Sequence, residues 1–171
     1  MTAARFENLK ALIVEDNAHM RALLRTLLGG IGISEVHEAG EGGRAFALLE
    51  RLQPDFVLTD LTMAPVDGIA FTRELRTSHA SPNPYVPVIM VTGHTERERV
   101  TAARDAGVTE LLAKPVTARN LFLRLAAIVD RPRPFVRSED FFGPDRRRHN
   151  DAFYMGPWRR AEDRERDVAL L

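Results

Sequence analysis

The chain has no cysteine, so disulfides, thiolate catalysis and Cys-ligated zinc are all excluded. Lysine is nearly absent as well: Lys10 and Lys114 are the only two among 24 basic residues. Lys and Arg differ in shape and hydration, so a Lys kept at 114 in an Arg-rich chain draws notice. No charge sign dominates. The formal net charge is zero, which gives no bulk electrostatic reason to expect nucleic acid as a partner. No apolar run approaches the roughly 20 residues needed to cross a bilayer. Met1 to Glu7 lacks the apolar core of a signal peptide, so the expected location is the cytoplasm. No internal repeat is present.

What remains is a regular alternation of short apolar runs and amphipathic stretches. Leu9–Val14 is a continuous apolar run, as in a strand buried on both faces. Asn17 follows as an N-cap, and Met20, Leu23, Leu24, Leu27 and Leu28 repeat at helical spacing until Gly29-Gly30, read as the stop. Ser34–Glu38 reads as a second strand. Gly40-Glu41-Gly42-Gly43 reads as a turn before a helix marked by Ala45, Leu48, Leu49 and Leu52. Asp55–Asp60 is a third strand and Gly68–His79 a third helix; Val86–Thr92 is a fourth strand and Thr95–Ala106 a fourth helix. Glu110–Ala113 and Thr117–Val129 complete five strand–helix units, which predict an α/β domain, a doubly wound five-stranded parallel sheet, over residues 1–130.

Four of these strands end in polar residues of a particular kind: Glu15-Asp16, Asp60, Thr92 and Lys114-Pro115. Ligands of open parallel sheets bind outside the carboxyl ends of the strands, where strand order reverses. Three carboxylates, a hydroxyl and an ammonium should therefore meet in one pocket, equipment suited to a hard divalent cation and a phosphoryl group. A strand-end Asp60 can act as nucleophile and become an acyl phosphate. Glu15 and Asp16 add carboxylate oxygens for Mg²⁺, which takes an octahedron of oxygens. Without a cation, clustered carboxylates raise at least one pKa. Lys114 offers a point charge to the phosphoryl oxygens, and Thr92 a hydrogen bond.

These motifs, in order and on the expected elements, are Val14-Glu15-Asp16, Asp60 followed by Met63, Asp67 and Gly68, Val91-Thr92-Gly93, and Ala113-Lys114-Pro115. With them the chain resembles a receiver domain of a two-component response regulator, of the chemotaxis-regulator kind, over about residues 8–130. The resemblance implies a flavodoxin-like sheet of strand order 2-1-3-4-5. It also implies that Asp60 is phosphorylated by a histidine kinase or histidine phosphotransfer protein, and that output is phosphorylation-dependent contact with a downstream protein. The face of helix four, strand five and helix five is the surface it implies for that contact, or for a homodimer. By the same analogy the Mg²⁺ ligands are Asp16, Asp60 and the backbone carbonyl of Thr62, with Glu15 through water. Lys114 and Thr92 serve the chemistry, Gly68 and Pro115 are structural, and the Lys114-Pro115 bond is often cis. Thr62 and His94 occupy the positions that tune the lifetime of the phosphoryl group. Three departures stand out: Pro65 comes one place later than usual, Leu111 replaces the common switch aromatic, and the two lifetime-tuning positions hold Thr62 and His94.

Beyond residue 130 the composition changes. Residues 131–171 hold ten Arg against eight acids, several prolines and the aromatics Phe135, Phe141, Phe142, Phe153, Tyr154 and Trp158. This stretch reads as an irregular tail, partly disordered or docking on the receiver or a partner. An Arg-rich tail also allows a nucleic-acid adaptor, which the interleaved acids disfavour. A phosphorylation-independent docking module is a further alternative. A haloacid-dehalogenase-type phosphatase would require an Asp-x-Asp run after strand one, whereas Asp60-Leu61-Thr62 lacks the second Asp and follows strand three.

Overall fold

The structure is a computed structural model that describes residues 6–93 and 97–145. Five strands, β1 (Lys10–Val14), β2 (Glu35–Ala39), β3 (Phe56–Asp60), β4 (Val88–Thr92) and β5 (Glu110–Ala113), form one parallel sheet in the order β2-β1-β3-β4-β5. Strands β3 and β4 are buried at every position, which is why Phe56–Leu58 and Val88–Val91 are apolar without alternation. The helices between strands are α1 (Ala18–Ile31), α2 (Gly42–Leu52), α3 (Gly68–Thr77) and α4 (Arg97–Asp105), and α5 (Ala118–Asp130) follows β5.

Side chains alternate across each strand, so the sheet has a core on either side. Ala11, Ile13, Phe56, Leu58, Ile89 and Val91 face α1 and α5, packing with Leu24, Leu28, Leu121 and Leu125. Leu12, Val14, Val57, Val88 and Met90 face α2, α3 and α4 with Leu49, Phe71, Leu75 and Ala103. Every strand therefore leaves a core pointing its carboxyl end at the same rim of the sheet.

Boundaries differ from the sequence reading where packing overrides local preference. Gly29-Gly30 does not stop α1; the helix runs on to Ile31, which is buried, and ends at Gly32 in the left-handed region with φ 106°. Gly42-Gly43 is not part of the turn but the first turn of α2, with Glu41 as cap residue. β4 begins at Val88 rather than Val86, because Pro87 has no N–H to give and Val86 N instead closes a turn on the Asn83 carbonyl. Asn17 caps α1 as expected, accepting from the backbone N–H groups of His19 and Met20.

Past α5, within the stretch read as irregular, β6 (Phe135–Arg137) and β7 (Phe142–Pro144) pair antiparallel as a short hairpin. It lies beside the residues that enter β4 and β5, at the pole of the sheet opposite the strand carboxyl ends. The block Arg146-Arg147-Arg148 and the aromatics Phe153, Tyr154 and Trp158 lie outside the described residues.

Candidate functional site

Asp60 ends β3 at the centre of the rim and is only 4% exposed. Its Oδ1 takes the Lys114 ammonium at 2.7 Å, and its Oδ2 accepts the Thr62 backbone N–H at 2.9 Å. Lys114 is brought there by β5, whose end is stitched to β4 by the Lys114 N–H donating to the Thr92 carbonyl at 2.8 Å. Thr92 closes β4, nearly buried, one position past Val91, the register partner of Asp60. The Lys114–Pro115 peptide bond is cis, as is Ala64–Pro65 in the loop after Asp60.

The β1–α1 loop supplies the two other carboxylates. Asp16 Oδ2 accepts the Ala64 N–H at 3.1 Å, which ties this loop to the one following β3. Glu15 is 2% exposed; its Oε1 accepts the Asn17 N–H at 3.0 Å, while Oε2 is buried and accepts no hydrogen bond. Burial pushes the Glu15 carboxyl up to about 7; the Asp60 carboxylate adds to this, and the Asn17 N–H and Lys114 ammonium oppose it. The crowding foreseen from sequence thus falls on one acid, with removal from water as its main cause.

An orphaned carboxylate oxygen beside two further carboxylates is a donor set that suits a hard cation. Among the described residues no three His, Asp or Glu side chains converge closely enough to form a cage by themselves. That arrangement matches Mg²⁺, which commonly takes one or two protein carboxylates and fills its shell with water and phosphate oxygens.

One support was not singled out from sequence. Arg21, one turn into α1, donates from Nη1 to the carbonyls of Glu15 at 2.7 Å and Asp16 at 3.1 Å, and its Nε meets Glu38 of β2 at 3.3 Å. It clasps the acidic loop from below, and only the pairing of β1 with β2 brings Glu38 to it. Asp67 caps α3 by accepting the Ala70 N–H at 2.7 Å. Gly68 opens α3 close to the strand end: a Cβ on it would stand 2.1 Å from the Asp60 carbonyl oxygen. Leu111, at the switch-aromatic position, is half-buried against the core on the α2–α4 side. His94 lies outside the described residues.

Comparison with known proteins agrees with this geometry. The family description "Response regulator receiver domain" matches residues 11–126. The chain belongs to the response regulator receiver family. Among curated relatives, chemotaxis protein CheY-3 of Vibrio cholerae is 34% identical over 131 residues, covering 77% of this chain and 99% of that protein. Chemotaxis protein CheY of Pseudomonas aeruginosa is 33% identical over 123 residues, covering 72% and 98%. Among solved structures, the chemotaxis protein CheY4 of Vibrio cholerae superposes with a TM-score of 0.64 at 26% identity, covering 71% of this chain and 98% of that one. The family match leaves residues 1–10 and 127–171 outside it. Among the described residues no helix is long and apolar enough to cross a membrane.

Proposed function

We propose that this receiver takes a phosphoryl group on Asp60 from a phosphohistidine of a histidine kinase or phosphotransfer protein. The observation that carries the reading is the Asp60 carboxylate at the end of β3, buried to 4% exposure with the Lys114 ammonium 2.7 Å away. A buried carboxylate held by one ammonium and one N–H is oriented, and it is not solvated. An Asp60 oxygen forms the new P–O bond as the P–N bond to the donor imidazole breaks, and the bonding pair returns to the ring nitrogen. Lys114 then follows the charge onto the phosphoryl oxygens, and the Thr92 hydroxyl offers them a hydrogen bond.

Asp16, Asp60 and the Thr62 carbonyl would hold Mg²⁺, with Glu15 through water. When bound, the ion offsets charge on the phosphoryl oxygens. The chain's own residues fix the rest: Arg21 and the Ala64 N–H set the acidic loop, and Gly68 lets α3 start directly against the Asp60 carbonyl. Output follows as a shift between two conformations that a downstream protein tells apart.

Intact mass after incubation with Mg²⁺ and a small-molecule phosphodonor tests the assignment. The expected result is one added phosphoryl group in wild type and none in Asp60→Asn. Labelling of Asp60→Asn at the wild-type rate would move the acceptor elsewhere.

A further inference from the structure

The stretch after α5 folds back against the end of α4 and the start of β5, and a cavity of about 200 Å³ lies between the three. Its apolar wall is Val108, Leu111 and Pro144, and its charged wall is Arg104, Glu110 and Arg133. Arg133 and Pro144 come from beyond α5, so the hairpin closes one side of it.

Most of this frame is held by its own bonds. Thr109 donates its N–H to the Val88 carbonyl at 2.9 Å and accepts the Val88 N–H on Oγ1 at 3.0 Å, which fixes the start of β5. The Thr109 carbonyl accepts from Arg133 Nη2, and Arg133 Nη1 donates to the Asp145 carbonyl at 3.0 Å. The hairpin is anchored in turn. The rings of Tyr85, Phe135 and Phe142 meet pairwise with centroids 5.2–5.6 Å apart, and the buried Arg76 guanidinium lies 5.0 Å from the Phe135 centroid. Gly143 packs so closely on Gly107 that a Cβ on it would stand 2.9 Å from the Gly107 Cα. Walls fixed in advance spare a ligand the cost of ordering them.

The charges here do not cancel. Glu110, 7% exposed, is met by Arg124 Nη1 at 3.2 Å and by Arg133 Nη2 at 4.0 Å. Asp145, next to Pro144, is the second buried acid. Against these two stand the guanidinium groups of Arg104, Arg124 and Arg133. Arg104 is exposed at the cavity mouth, and among the described residues it makes no hydrogen bond or ion pair. Asp105, its neighbour on α4, does not line the cavity. The surplus positive charge therefore rests on Arg104, beside an apolar wall.

We propose that this cavity binds a small organic monocarboxylate, its carboxylate on Arg104 and its ring or short chain against Val108, Leu111 and Pro144. Size sets the class. Drug-sized ligands take pockets of about 300–1,000 Å³, whereas a cavity of about 150 Å³ already admits benzene. One ring or a chain of a few carbons fits the space available here. A carboxylate can accept two parallel N–H groups from one guanidinium, the geometry that makes such pairs strong. Glu110 in the wall disfavours a second negative charge on the ligand. The site lies at the opposite end of β5 from Lys114 and does not depend on what Asp60 accepts.

The test uses the full chain, ¹⁵N-labelled, with benzoate as the probe. Arginine Nε–H resonances are followed during the titration. Benzyl alcohol supplies the ring without the charge, and acetate the charge without the ring. Benzoate should shift the Arg104 and Arg133 resonances saturably, with a Kd of about 1 mM or lower, and each control should bind about tenfold more weakly or worse. Arg104→Gln should weaken benzoate about tenfold or more, followed on Arg133, with Tm unchanged because the side chain is exposed and outside both cores. Shifts that do not saturate, or that Arg104→Gln leaves as in wild type, would overturn the proposal. Benzyl alcohol binding as well as benzoate would overturn the carboxylate contact. Tighter binding of a short glutamate-containing peptide than of benzoate would give the cavity to a side chain of a partner protein, and so overturn the small-molecule reading.

Discussion

Gly68→Ala sets two effects against each other, and the structure decides the sign. Gly68 opens α3, where alanine is the better helix former by up to about 1 kcal/mol. Its backbone lies outside the left-handed region, so by propensity alone the substitution stabilises. The surroundings reverse this. The new Cβ would stand 2.1 Å from the Asp60 carbonyl oxygen, 3.1 Å from the Asp60 carbonyl carbon and 3.2 Å from the Leu61 Cα. All three are backbone atoms of a fully buried strand end, so α3 must retreat by about 1 Å to restore ordinary contact. Overpacking of this kind costs about 1–3 kcal/mol, and the Gly68 N–H to Leu61 carbonyl bond, 3.0 Å long, would stretch at a further cost of about 1 kcal/mol. After the propensity gain is subtracted, the net expectation is destabilisation by about 1–3 kcal/mol, a fall in Tm of roughly 2–12 °C for a domain of this size. Urea unfolding followed by circular dichroism at 222 nm measures it. Beryllofluoride affinity should drop in parallel, because the retreat displaces the peptide that carries Asp60. A variant as stable as wild type would refute the packing argument at this position.

Glu15→Gln should remove a pH dependence. The folded carboxyl titrates at about 7 against 4.5 unfolded, so its contribution is greatest below pH 4.5, declines as the unfolded chain alone ionises, and is flat above 7. Without Mg²⁺, wild type should lose up to about 3 kcal/mol relative to Glu15→Gln between pH 4.5 and 8. Parallel urea midpoints for the two proteins across that range would contradict the assignment to Glu15. Lys114→Ala leaves the buried Asp60 carboxylate without the ammonium 2.7 Å away, so stability should fall by about 1–3 kcal/mol. Intact mass should still register some Asp60 phosphorylation. Complete loss of labelling would mean that the ammonium is required for the transfer itself.

The alternation of apolar runs with amphipathic stretches determined the α/β class and the five strands of the parallel sheet, because burial on two faces favours continuous apolar strands. The polar residues that end those runs, Glu15-Asp16, Asp60, Thr92 and Lys114, could be placed at one rim because parallel strands all point the same way. Helix ends were harder to read. Gly29-Gly30 has the look of a stop, yet the buried Leu28 and Ile31 gain more from continuing α1 than glycine loses within it. Arg21 was invisible as a support because its partners, the Glu15 and Asp16 carbonyls and Glu38, meet only after β1 and β2 pair. The hairpin is the sharpest contrast. Nothing local in Phe135–Pro144 specifies where it goes; Tyr85, Arg76, Gly107 and Thr109 come from three separate stretches of chain. Sequence alone fixes what depends on local period and on strand direction. Long-range contact between side chains that the fold brings together, and the burial that lifts Glu15, exist only in the tertiary structure, because both depend on which surfaces water can no longer reach.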